Sequence, residues 1–456
     1  MRPDRTDNVA RGSGGVRIDD LDPRGRGVGR TGGKMTFVHG ALPGEEVICR
    51  RVKRRRSFDE AVVQEVVESS PDRVEPRCRF YERCGGCSLQ HLSYDAQLRH
   101  KERTLLATLA TVAGVSPPQV MPPLAGSPWR YRRKARLGAR FVPGRYGALV
   151  GFRERLPNRV ADMTDCEVLS DPLGPLLMPL RELVGALDAR ARVPQIEVAA
   201  GEDGAVCVIR HLDPLSPEDL VAIEAFATRH RIGVWLQPGG PDTARPVLDS
   251  TSDLHYSLED GAIRLSFSPL DFVQVNAEVN RALVRRVVSM LAPVPGEKVL
   301  DTFCGLGNFS LPLAARGADV TGLEAASAMV ERARANAAGN GLSASFQVAD
   351  LGDEATVRDW LGRGWAKLLL DPPRAGAEVV VEHVPLARPL RIVYVSCNPD
   401  TLARDAARLV HRHGYRLTRT GLVDMFPHTS HIESVTEFEA GDLDGTLRES
   451  PGTAAS

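Results

Sequence analysis

Short apolar runs that end in polar residues recur along the last third of the chain. The runs lie at 298–302, 319–324, 345–350, 366–371 and 391–397, and polar, helix-compatible segments separate them. Near-continuous apolar runs are typical of parallel strands buried on both faces, and helices between such strands indicate an α/β sheet. The side chains expected at the strand ends are Asp301, Glu324, Asp350, Asp371 and Cys397. The pattern therefore predicts a Rossmann-like domain with one crevice at the carboxyl ends of its strands.

A glycine turn follows the first of these strands, in the segment KVLDTFCGLGN. Gly305 and Gly307 would let the backbone approach a ligand, and a helix predicted at 309–315 would present unpaired N–H groups to it. Glu324 ends the next strand roughly 20 residues later, where an acid can bind ribose hydroxyls. The turn alone could be a plain tight turn, but with the strand-end residues it predicts a nucleotide-type cofactor site.

The rest of the pattern predicts further folded units. Residues 16–69 alternate short apolar runs with glycine turns, which is typical of a small OB-like β-barrel. Asp-Gly hairpin signals at 203–204 and 260–261 and a helix start at Ser216 indicate a mixed α/β region. Amphipathic helices are predicted at 94–112 and 277–292. We therefore expect a disordered segment at 1–15, the barrel at 16–69, a central mixed α/β domain at 70–265, the cofactor domain at 266–440 and a loose tail at 441–456.

The composition is that of a folded protein. With 43% hydrophobic and 25% charged residues, wholesale disorder is excluded. No apolar run approaches 18 residues, so we expect no membrane-spanning helix. Residues 1–15 lack the apolar core of a secretory signal, and we therefore expect the protein in the cytoplasm.

The distribution of charge is more informative than the net charge, which is zero. The run RRVKRRR (50–56) holds six basic residues in seven, and eight Lys or Arg residues but no acid lie between 126 and 153. The aromatic residues interleaved with the second run are Trp129, Tyr131, Phe141 and Tyr146. One basic run is usually a solvated surface, whereas two runs with interleaved aromatic residues indicate a nucleic-acid-binding track.

A group of three cysteines is the second strong chemical signal. In CRFYERCGGC the thiols of Cys78, Cys84 and Cys87 have the spacing C-x5-C-x2-C, which lets them converge on one metal centre. A fourth ligand is needed, and we assign Cys166 because polar, turn-like residues flank it. Cys207 lies in an apolar run, where a buried free thiol is expected. The spacing leaves open whether the metal is zinc or an iron–sulfur cluster, and three unlinked thiols remain the alternative.

Cys397 lies at the end of the fifth predicted strand, in the segment SCNP. This position would direct the thiol into the crevice, and the N-terminus of a helix beginning near Pro399 would favour the thiolate. A buried strand-end cysteine without chemistry is equally compatible with this residue alone. Downstream residues also allow a Cys397/His431/Asp424 hydrolase, but such an enzyme needs neither the glycine turn nor Glu324.

These segments together resemble the RNA uracil-C5 methyltransferases, and most closely the type that acts on 23S ribosomal RNA. The resemblance covers residues 16 to about 438 and rests on motifs in the family's order and spacing, namely CRFYERCGGC, WRYRRKARL, DFVQVN, LDTFCGLGNFSLPLA, DPPR, VSCNP and DMFPHTSHIES. The barrel at 16–69 resembles the family's TRAM domain. Barrel and cysteine group together are expected to set the chain apart from the shorter tRNA-type relatives, which lack the barrel.

The resemblance implies methylation of uracil C5 to 5-methyluridine through a covalent adduct with C6 of the base. It implies that Cys397 is the nucleophile and Glu433 the general base. The residues implied to bind S-adenosylmethionine (SAM) are Gln274, Phe303, Asn308, Glu324, Asp350 and Asp371. Those implied to hold a 4Fe-4S cluster are Cys78, Cys84, Cys87 and Cys166. Two departures are mild: Val273 stands in DFVQVN where relatives commonly have an aromatic-type residue, and Asp350 is often an amide in relatives.

The implied partner is ribosomal RNA with a single-stranded or flipped-out uridine, because the base must reach a thiol inside a crevice. The barrel and the basic stretch 130–145 would hold the RNA backbone, and the candidate contacts are Arg130, Arg132, Arg133 and Arg136. We expect a monomer that binds no membrane. Three alternatives stay open: a tRNA uracil-C5 methyltransferase, a non-catalytic RNA-binding ribosome assembly factor, and an NAD-linked oxidoreductase. The last leaves DPPR and SCNP without a function.

Overall fold

A barrel, two larger sheets and a short hairpin organise the part of the chain that the computed structural model describes, residues 15–144, 147–156, 159–248 and 253–441. The disorder expected at 1–15 falls outside these ranges except for residue 15, and the expected loose tail falls outside them except for residue 441. Within these ranges no helix is both long and apolar enough to cross a membrane.

A closed five-stranded barrel begins the described chain. Its strands β1 to β5 span Val16–Leu21, Gly27–Thr31, Lys34–His39, Glu46–Arg54 and Phe58–Glu68, in the spatial order β1-β2-β3-β5-β4. Pairing of β1 with β4 closes the barrel. Val16 and Ile18 point into its core while Arg17 and Asp19 are exposed, which is the alternation that a strand with one buried face requires. The barrel predicted at 16–69 is confirmed.

The next elements lead away from the barrel and into the last sheet. Helix α1 spans Tyr94–Thr108 and continues as a π-helical turn, Leu109–Ala113, as the predicted helix at 94–112 required. Strand β6, Gln119–Leu124, pairs in parallel with a strand near the C-terminus. The C-terminal sheet therefore includes a strand from outside the predicted cofactor domain at 266–440. The sequence did not indicate this, because a pairing between distant strands leaves no local pattern.

A mixed six-stranded sheet forms the middle of the chain. Its strands β7 to β12 span Lys134–Val142, Gly147–Gly151, Gln195–Ala200, Ala205–Arg210, Gly233–Gln237 and Arg245–Pro246, in the order β12-β11-β10-β9-β7-β8. Helices α2 and α3 span Leu177–Ala186 and Pro217–His230. The predicted Asp-Gly turns join β9 to β10 and, in a separate hairpin, β13 (His255–Leu258) to β14 (Ile263–Ser266). Ser216 caps α3 with a complete capping box, as predicted.

The C-terminal sheet has eight strands in the order β17-β16-β15-β18-β19-β21-β20-β6. Strands β15 to β21 span Lys298–Thr302, Asp319–Glu324, Ser345–Val348, Lys367–Leu370, Arg391–Ser396, Tyr415–Val423 and Glu433–Ala440. Helices α4 to α9 span Ala277–Leu291, Ser310–Ala315, Ser327–Gly339, Glu354–Leu361, Glu378–Ala387 and Pro399–Ala407. The five predicted strands, β15 to β19, all run in parallel. This confirms the predicted Rossmann-like domain.

Helices cover both faces of this sheet and remove it from water. On one face α4 buries Val279, Leu283, Val287 and Leu291 completely, which are the four residues of its predicted apolar side. On the other face α1, α7, α8 and α9 pack over a second apolar cluster. The candidate site lies at the edge where the parallel strands end, which the helices on the two faces leave open.

Candidate active site and cysteine pocket

The candidate active site lies where three neighbouring strands of the C-terminal sheet end or begin. Strands β18 and β19 run in parallel, so Asp371, directly after β18, and Cys397, directly after β19, lie at the same edge. Strand β21 runs antiparallel to β19 with Ser434 opposite Ser396, and therefore Glu433 begins β21 beside Cys397. The tertiary structure thus brings together three residues that lie far apart in the sequence.

Burial and carboxylates keep the Cys397 thiol protonated in this arrangement. The pKa of Cys397 is raised to about 11, first by burial and then by the charges of Glu433 and Asp371, while Arg374 opposes them. The effect expected from the N-terminus of α9 is therefore outweighed. Burial also raises the pKa of Asp371 well above its usual range, with Glu433 adding to the effect.

Glu433 has an oxygen that is free for chemistry. Its side chain is 7% exposed, and its Oε2 has no hydrogen-bond partner among the described residues. Its Oε1 lies 3.7 Å from Nε2 of His431. Asp424 instead contacts Lys101 and Tyr94, so Cys397, His431 and Asp424 do not form a hydrolase triad.

The turn after β15 leaves room for a cofactor. Phe303, Gly305 and Gly307 all have positive φ, at 63°, 55° and 96°, and this left-handed backbone explains the two glycines. A Cβ added to Gly305 would meet only the Met329 methyl, at 3.7 Å, so the space next to the turn is open. Glu324 ends β16 beside this turn and is half-buried. An open turn followed by an acid on the next strand fits a nucleoside cofactor such as SAM.

Asn308 is held by side chains that the sequence did not single out. Its Oδ1 accepts from Tyr256 and from Asn280, both at 2.9 Å, and its Nδ2 donates to Asn280 Oδ1 at 3.0 Å. Asn280 lies on α4, one helical turn after the Asn276 cap of that helix. The position of Asn280 four residues after Asn276, on the face of α4 toward the glycine turn, was the sequence signal that could have identified this residue.

Gln274 is fixed through its backbone by Arg133. The Nε of Arg133 donates to the Gln274 carbonyl at 2.8 Å, and its backbone N–H donates to Val275 at 2.9 Å. Its guanidinium lies 4.2 Å from the Tyr256 ring centre. Arg133 is only 5% exposed, so its predicted contact with RNA is wrong, because a guanidinium buried against Tyr256 cannot reach a phosphate.

Two acids at the cofactor edge differ in their surroundings. Asp350, two residues beyond β17, is exposed, and its Oδ1 accepts from the N–H of Gly352 at 2.9 Å. Asp301 is completely buried in β15 and accepts a short hydrogen bond from the Ser310 hydroxyl. Burial raises the pKa of Asp301 to about 7, and the charge of Glu324 adds to this. Asp301 is therefore a structural support beneath the turn, whereas Asp350 is accessible from solvent.

The four cysteines assigned to a metal line one pocket. Cys78, Cys84, Cys87 and Cys166 line one small pocket together with Tyr81, with a cavity volume of only about 10 Å³. Cys207 is buried in β10 and is not among the residues of this pocket. The choice of Cys166 over Cys207 thus agrees with the tertiary structure.

The donor set of this pocket suits a soft metal centre, but its geometry is not that of a metal site. Four thiols are the usual ligands of structural zinc and of iron–sulfur clusters. Burial raises the pKa of Cys87 to about 12 and that of Cys166 to about 11. In the described part of the chain, however, no group of three or more His, Cys, Asp or Glu side chains is arranged so that it could hold a metal ion.

The other three arginines predicted to bind RNA differ in exposure. Arg136 is the most open, with 70% of its side chain exposed, although it is paired with Glu197 at 3.0 Å. Arg132 is half-buried and lies 5.6 Å from the ring centres of both Phe152 and Phe426. Arg130 faces a group of carboxylates within 4.0 Å, those of Asp165, Glu167 and Asp171.

The aromatic residues interleaved with the basic run differ in burial: Tyr131 is buried, whereas Trp129 and Phe141 are half-buried. The Trp129 ring lies 4.0 Å from the ring of His428, and the Tyr131 hydroxyl donates to the Pro427 carbonyl at 3.1 Å. Tyr131 is 7% exposed. The expected stacking of RNA bases on this stretch is therefore wrong for Tyr131, which supports the segment before Glu433 instead. Tyr146 and Arg145 lie outside the described residues.

Three family models match parts of the chain. The family described as tRNA (Uracil-5-)-methyltransferase matches residues 363–439, which include Asp371, Cys397 and Glu433. A general methyltransferase domain matches residues 299–359, the glycine turn and the strands that follow it. The TRAM domain matches residues 15–56 in the barrel.

One solved structure is similar to nearly the whole chain. This is the tRNA (uracil-54, C5)-methyltransferase of Pyrococcus abyssi in complex with S-adenosyl-L-homocysteine, which is 26% identical and matches with a TM-score of 0.71 over 93% of this chain and 100% of its own. Its name refers to tRNA, and its match extends over most of this chain. The expectation about the barrel and the cysteine group concerns shorter tRNA-type relatives and stays a prediction.

Relatives of known name are similar over their full length. The chain is 49% identical to the 23S rRNA (uracil(1939)-C(5))-methyltransferase RlmD of Alkalilimnicola ehrlichii, over 93% of this chain and 96% of that protein. It is 49% identical to the RlmD of Nitrosococcus oceani, over 92% and 95%, and 48% identical to that of Thiobacillus denitrificans, over 93% and 99%. The C-terminal domain is thus a SAM-dependent methyltransferase domain, and the chain belongs to the RlmD family of 23S rRNA (uracil-C5)-methyltransferases.

Proposed function

We propose that this protein transfers a methyl group from SAM to C5 of a uracil in 23S ribosomal RNA, at the position that the names of its relatives give as 1939. The observation that carries the proposal is the register that sets Glu433 beside Cys397 at the carboxyl end of β19. A nucleophile and a carboxylate side by side, next to an open nucleotide-type turn, supply what this reaction needs. An NAD-linked oxidoreductase would leave both residues unused.

The chemistry explains why a thiol and a carboxylate are paired. Uracil C5 is too weak a nucleophile to accept a methyl group unaided. The deprotonated sulfur of Cys397 bonds to C6, and the C5–C6 π electrons move toward O4, which leaves carbanion character at C5. C5 then bonds to the methyl carbon that SAM carries on its sulfonium, and the electrons of the S–CH3 bond remain on that sulfur.

Glu433 would complete the reaction as the general base. It would take the proton from C5, the electrons of the C5–H bond would re-form the C5–C6 double bond, and the C6–S bond would break to release the Cys397 thiolate. The free Oε2 of Glu433 supports this role. Because the resting thiol has a pKa of about 11, its proton would pass to solvent water, which the half-buried Cys397 can reach, before the sulfur adds to C6 of the uracil.

We assign the SAM site to the turn after β15 and the neighbouring strand ends. Glu324 would accept from the ribose hydroxyls, and Phe303, Asp350 and Asp371 would line the crevice beside it. Gln274 would contribute from the segment that Arg133 holds, and Asn308 would act chiefly by fixing the turn through Asn280.

For the cysteine pocket we propose a 4Fe-4S cluster held by Cys78, Cys84, Cys87 and Cys166. The support is the shared pocket and its four soft donors. Anaerobic reconstitution with iron and sulfide should give four irons per chain and the absorption of a cluster, and Cys166→Ser should lose both. Cys207→Ser is the matched control, because it removes an equally buried thiol outside the pocket. Binding of one zinc with no sulfide would overturn the proposal.

The RNA would be held by basic residues on the barrel and on the central sheet. An open groove of about 800 Å³ on the barrel is lined by Arg24, Arg26, Arg30 and Lys34 together with Phe37 and Phe58. Cations along a groove with aromatic side chains suit a single-stranded backbone and its bases. Arg136 would extend this surface onto the central sheet.

A covalent trap tests the catalytic proposal. RNA of the target segment that carries 5-fluorouridine has no C5 proton to lose, so with SAM it should form a stable complex that shifts the protein mass. Cys397→Ala should abolish the complex, whereas Cys207→Ala should not. If no complex forms with the wild-type protein, the enzyme proposal fails and the non-catalytic assembly factor is favoured.

A tRNA substrate is the second candidate, because the Pyrococcus abyssi structure and the matching family are both named for tRNA. Both substrates can be offered together as a 23S rRNA fragment and a tRNA transcript in one reaction. Formation of 5-methyluridine in the rRNA fragment is the expected result. Preferential labelling of the tRNA would replace the proposed substrate.

A further inference from the structure

The segment that leads into Glu433 has no regular structure of its own. Residues 424–432, here named the base loop, connect the end of β20 to the start of β21. A catalytic side chain that follows such a segment depends on contacts from outside it. These contacts come from α1, from residue 131 and from residues 78–89, which carry three of the four pocket cysteines and are here named the cysteine segment.

A buried ion pair fixes the start of the base loop. The ammonium of Lys101, on α1, donates to Asp424 Oδ1 at 2.5 Å and to the Phe426 carbonyl at 3.0 Å. Both side chains of the pair are 0% exposed. The Tyr94 hydroxyl, also on α1, donates to the other oxygen of Asp424 at 2.8 Å. A lysine is rarely buried completely unless its charge is paired, so this contact is a specific constraint on the loop.

The middle of the base loop is fixed by the cysteine segment and α1. The carbonyl of His428 accepts from the N–H groups of Ser88 and Leu89, both at 2.9 Å, and its own N–H donates to Gln97 at 2.9 Å. The backbone of His428 has a positive φ of 64°, a conformation that surrounding contacts must maintain. Lys101 is thus one of several residues that fix the loop, and its contact with Asp424 is a fully buried ion pair.

Lys101 also interacts electrostatically with the Glu433 carboxylate. Burial lowers the pKa of Lys101, while Asp424 and, more weakly, Glu433 raise it. The mutual influence means that the ammonium and the Glu433 carboxylate lie within electrostatic range of each other.

We propose that Lys101 is a positioning residue for Glu433, acting through Asp424 on the base loop, and that its loss slows the removal of the C5 proton. The inference rests on the proposed function. The affected step is the transfer of that proton to Glu433 with expulsion of the Cys397 thiolate from C6. Addition of the thiol to C6 and transfer of the methyl group do not involve Lys101.

The test uses a double substitution, because removing one partner would leave an unpaired buried charge. In Lys101→Met/Asp424→Asn the neutral side chains keep similar volume, and the amide oxygen introduced at position 424 can still accept from Tyr94. With ordinary target RNA this variant should accumulate the methylated covalent complex, and its turnover should fall about 100-fold, the size expected for a small misplacement of a catalytic group. Its affinities for SAM and RNA should stay within about twofold of the wild type.

A matched control separates positioning from stability. Lys367 and Glu297 form another mostly buried pair, at 2.6 Å, where β18 begins at the opposite end of the sheet. Lys367→Met/Glu297→Gln should change thermal stability by a similar amount without accumulating the covalent complex.

The possible results distinguish failure of the proposed function from failure of the role proposed for Lys101. Absence of any covalent complex from the wild type with 5-fluorouridine RNA would refute the proposed function itself. If the wild type forms that complex but the Lys101 double variant turns over normally, or loses turnover without accumulating methylated adduct, only the role of Lys101 is refuted.

Discussion

Arg133 offers a sharp test of how the SAM site is built. The sequence assigned this residue to RNA, whereas its guanidinium is buried and donates to the Gln274 carbonyl at 2.8 Å. We expect Arg133→Met to weaken SAM binding and to leave RNA binding unchanged. Methionine keeps much of the volume but removes the charge and the donor.

The expected size follows from opposing contributions. A hydrogen bond from a charged donor contributes about 1.5–3 kcal/mol, and a buried cation–π contact such as that with Tyr256 contributes about 2 kcal/mol. The cost of burying the guanidinium opposes these two favourable contributions. The pKa of Arg133 is lowered to about 10 by burial, which corresponds to roughly 3 kcal/mol. The free energy of unfolding should therefore fall by only about 1–2 kcal/mol, and SAM affinity by about tenfold as Gln274 becomes less constrained.

Titration calorimetry with SAM and RNA binding at several salt concentrations would measure both effects. The control is Arg136→Met, whose side chain is 70% exposed. That variant should bind SAM normally, and the salt dependence of its RNA affinity should fall by about one charge. The reasoning is refuted if Arg133→Met reduces the salt dependence of RNA binding and leaves SAM affinity intact.

Three further predictions follow from the electrostatics of the site. Glu433→Gln removes a negative charge that raises the pKa of Cys397, so alkylation of this thiol by iodoacetamide at pH 8 should become faster; an unchanged or slower rate would mean that the carboxylate does not face the thiol. Asp301 has its pKa raised to about 7 when folded, so the native state binds a proton that the unfolded chain has lost, and stability should fall as pH rises from about 4 to 7. Asp301→Asn removes this group, and its stability relative to the wild type should grow by about 1 kcal/mol per pH unit in that window when followed by unfolding at several pH values; a difference independent of pH would contradict the burial argument. Glu324→Ala should raise the dissociation constant for SAM about 10- to 100-fold, as expected for lost hydrogen bonds to a carboxylate, with Glu324→Gln intermediate.

Part of this site could be predicted because it depends on local order along the chain. The residue after a buried parallel strand lies at the carboxyl edge of the sheet, so Glu324, Asp371 and Cys397 could be placed from the apolar runs alone. The spacing of three cysteines and the polar surroundings of Cys166 are likewise local signals, and the four residues line one pocket. Their role as metal ligands stays a prediction.

Exposure could not be predicted in the same way. A dense run of basic and aromatic residues looks the same in the sequence whether it is exposed or buried. The run at 129–136 contains both exposed and buried side chains. Arg133 and Tyr131 are buried while Arg136 is exposed. Which side of a strand faces a neighbouring domain depends on how the domains pack. The composition of the run does not indicate that packing.

Local sequence was enough to predict the parallel strands, the glycine turn and the thiol at the end of β19, because each follows from backbone geometry and the burial of apolar side chains within short stretches. Local sequence could not predict that β21 returns antiparallel and sets Glu433 beside Cys397, or that Lys101 and the cysteine segment hold the base loop. Those contacts join residues more than 300 positions apart in the case of Lys101 and Asp424. Such pairings are selected by the packing of the whole chain, because a buried charge is stable only where the fold supplies its partner.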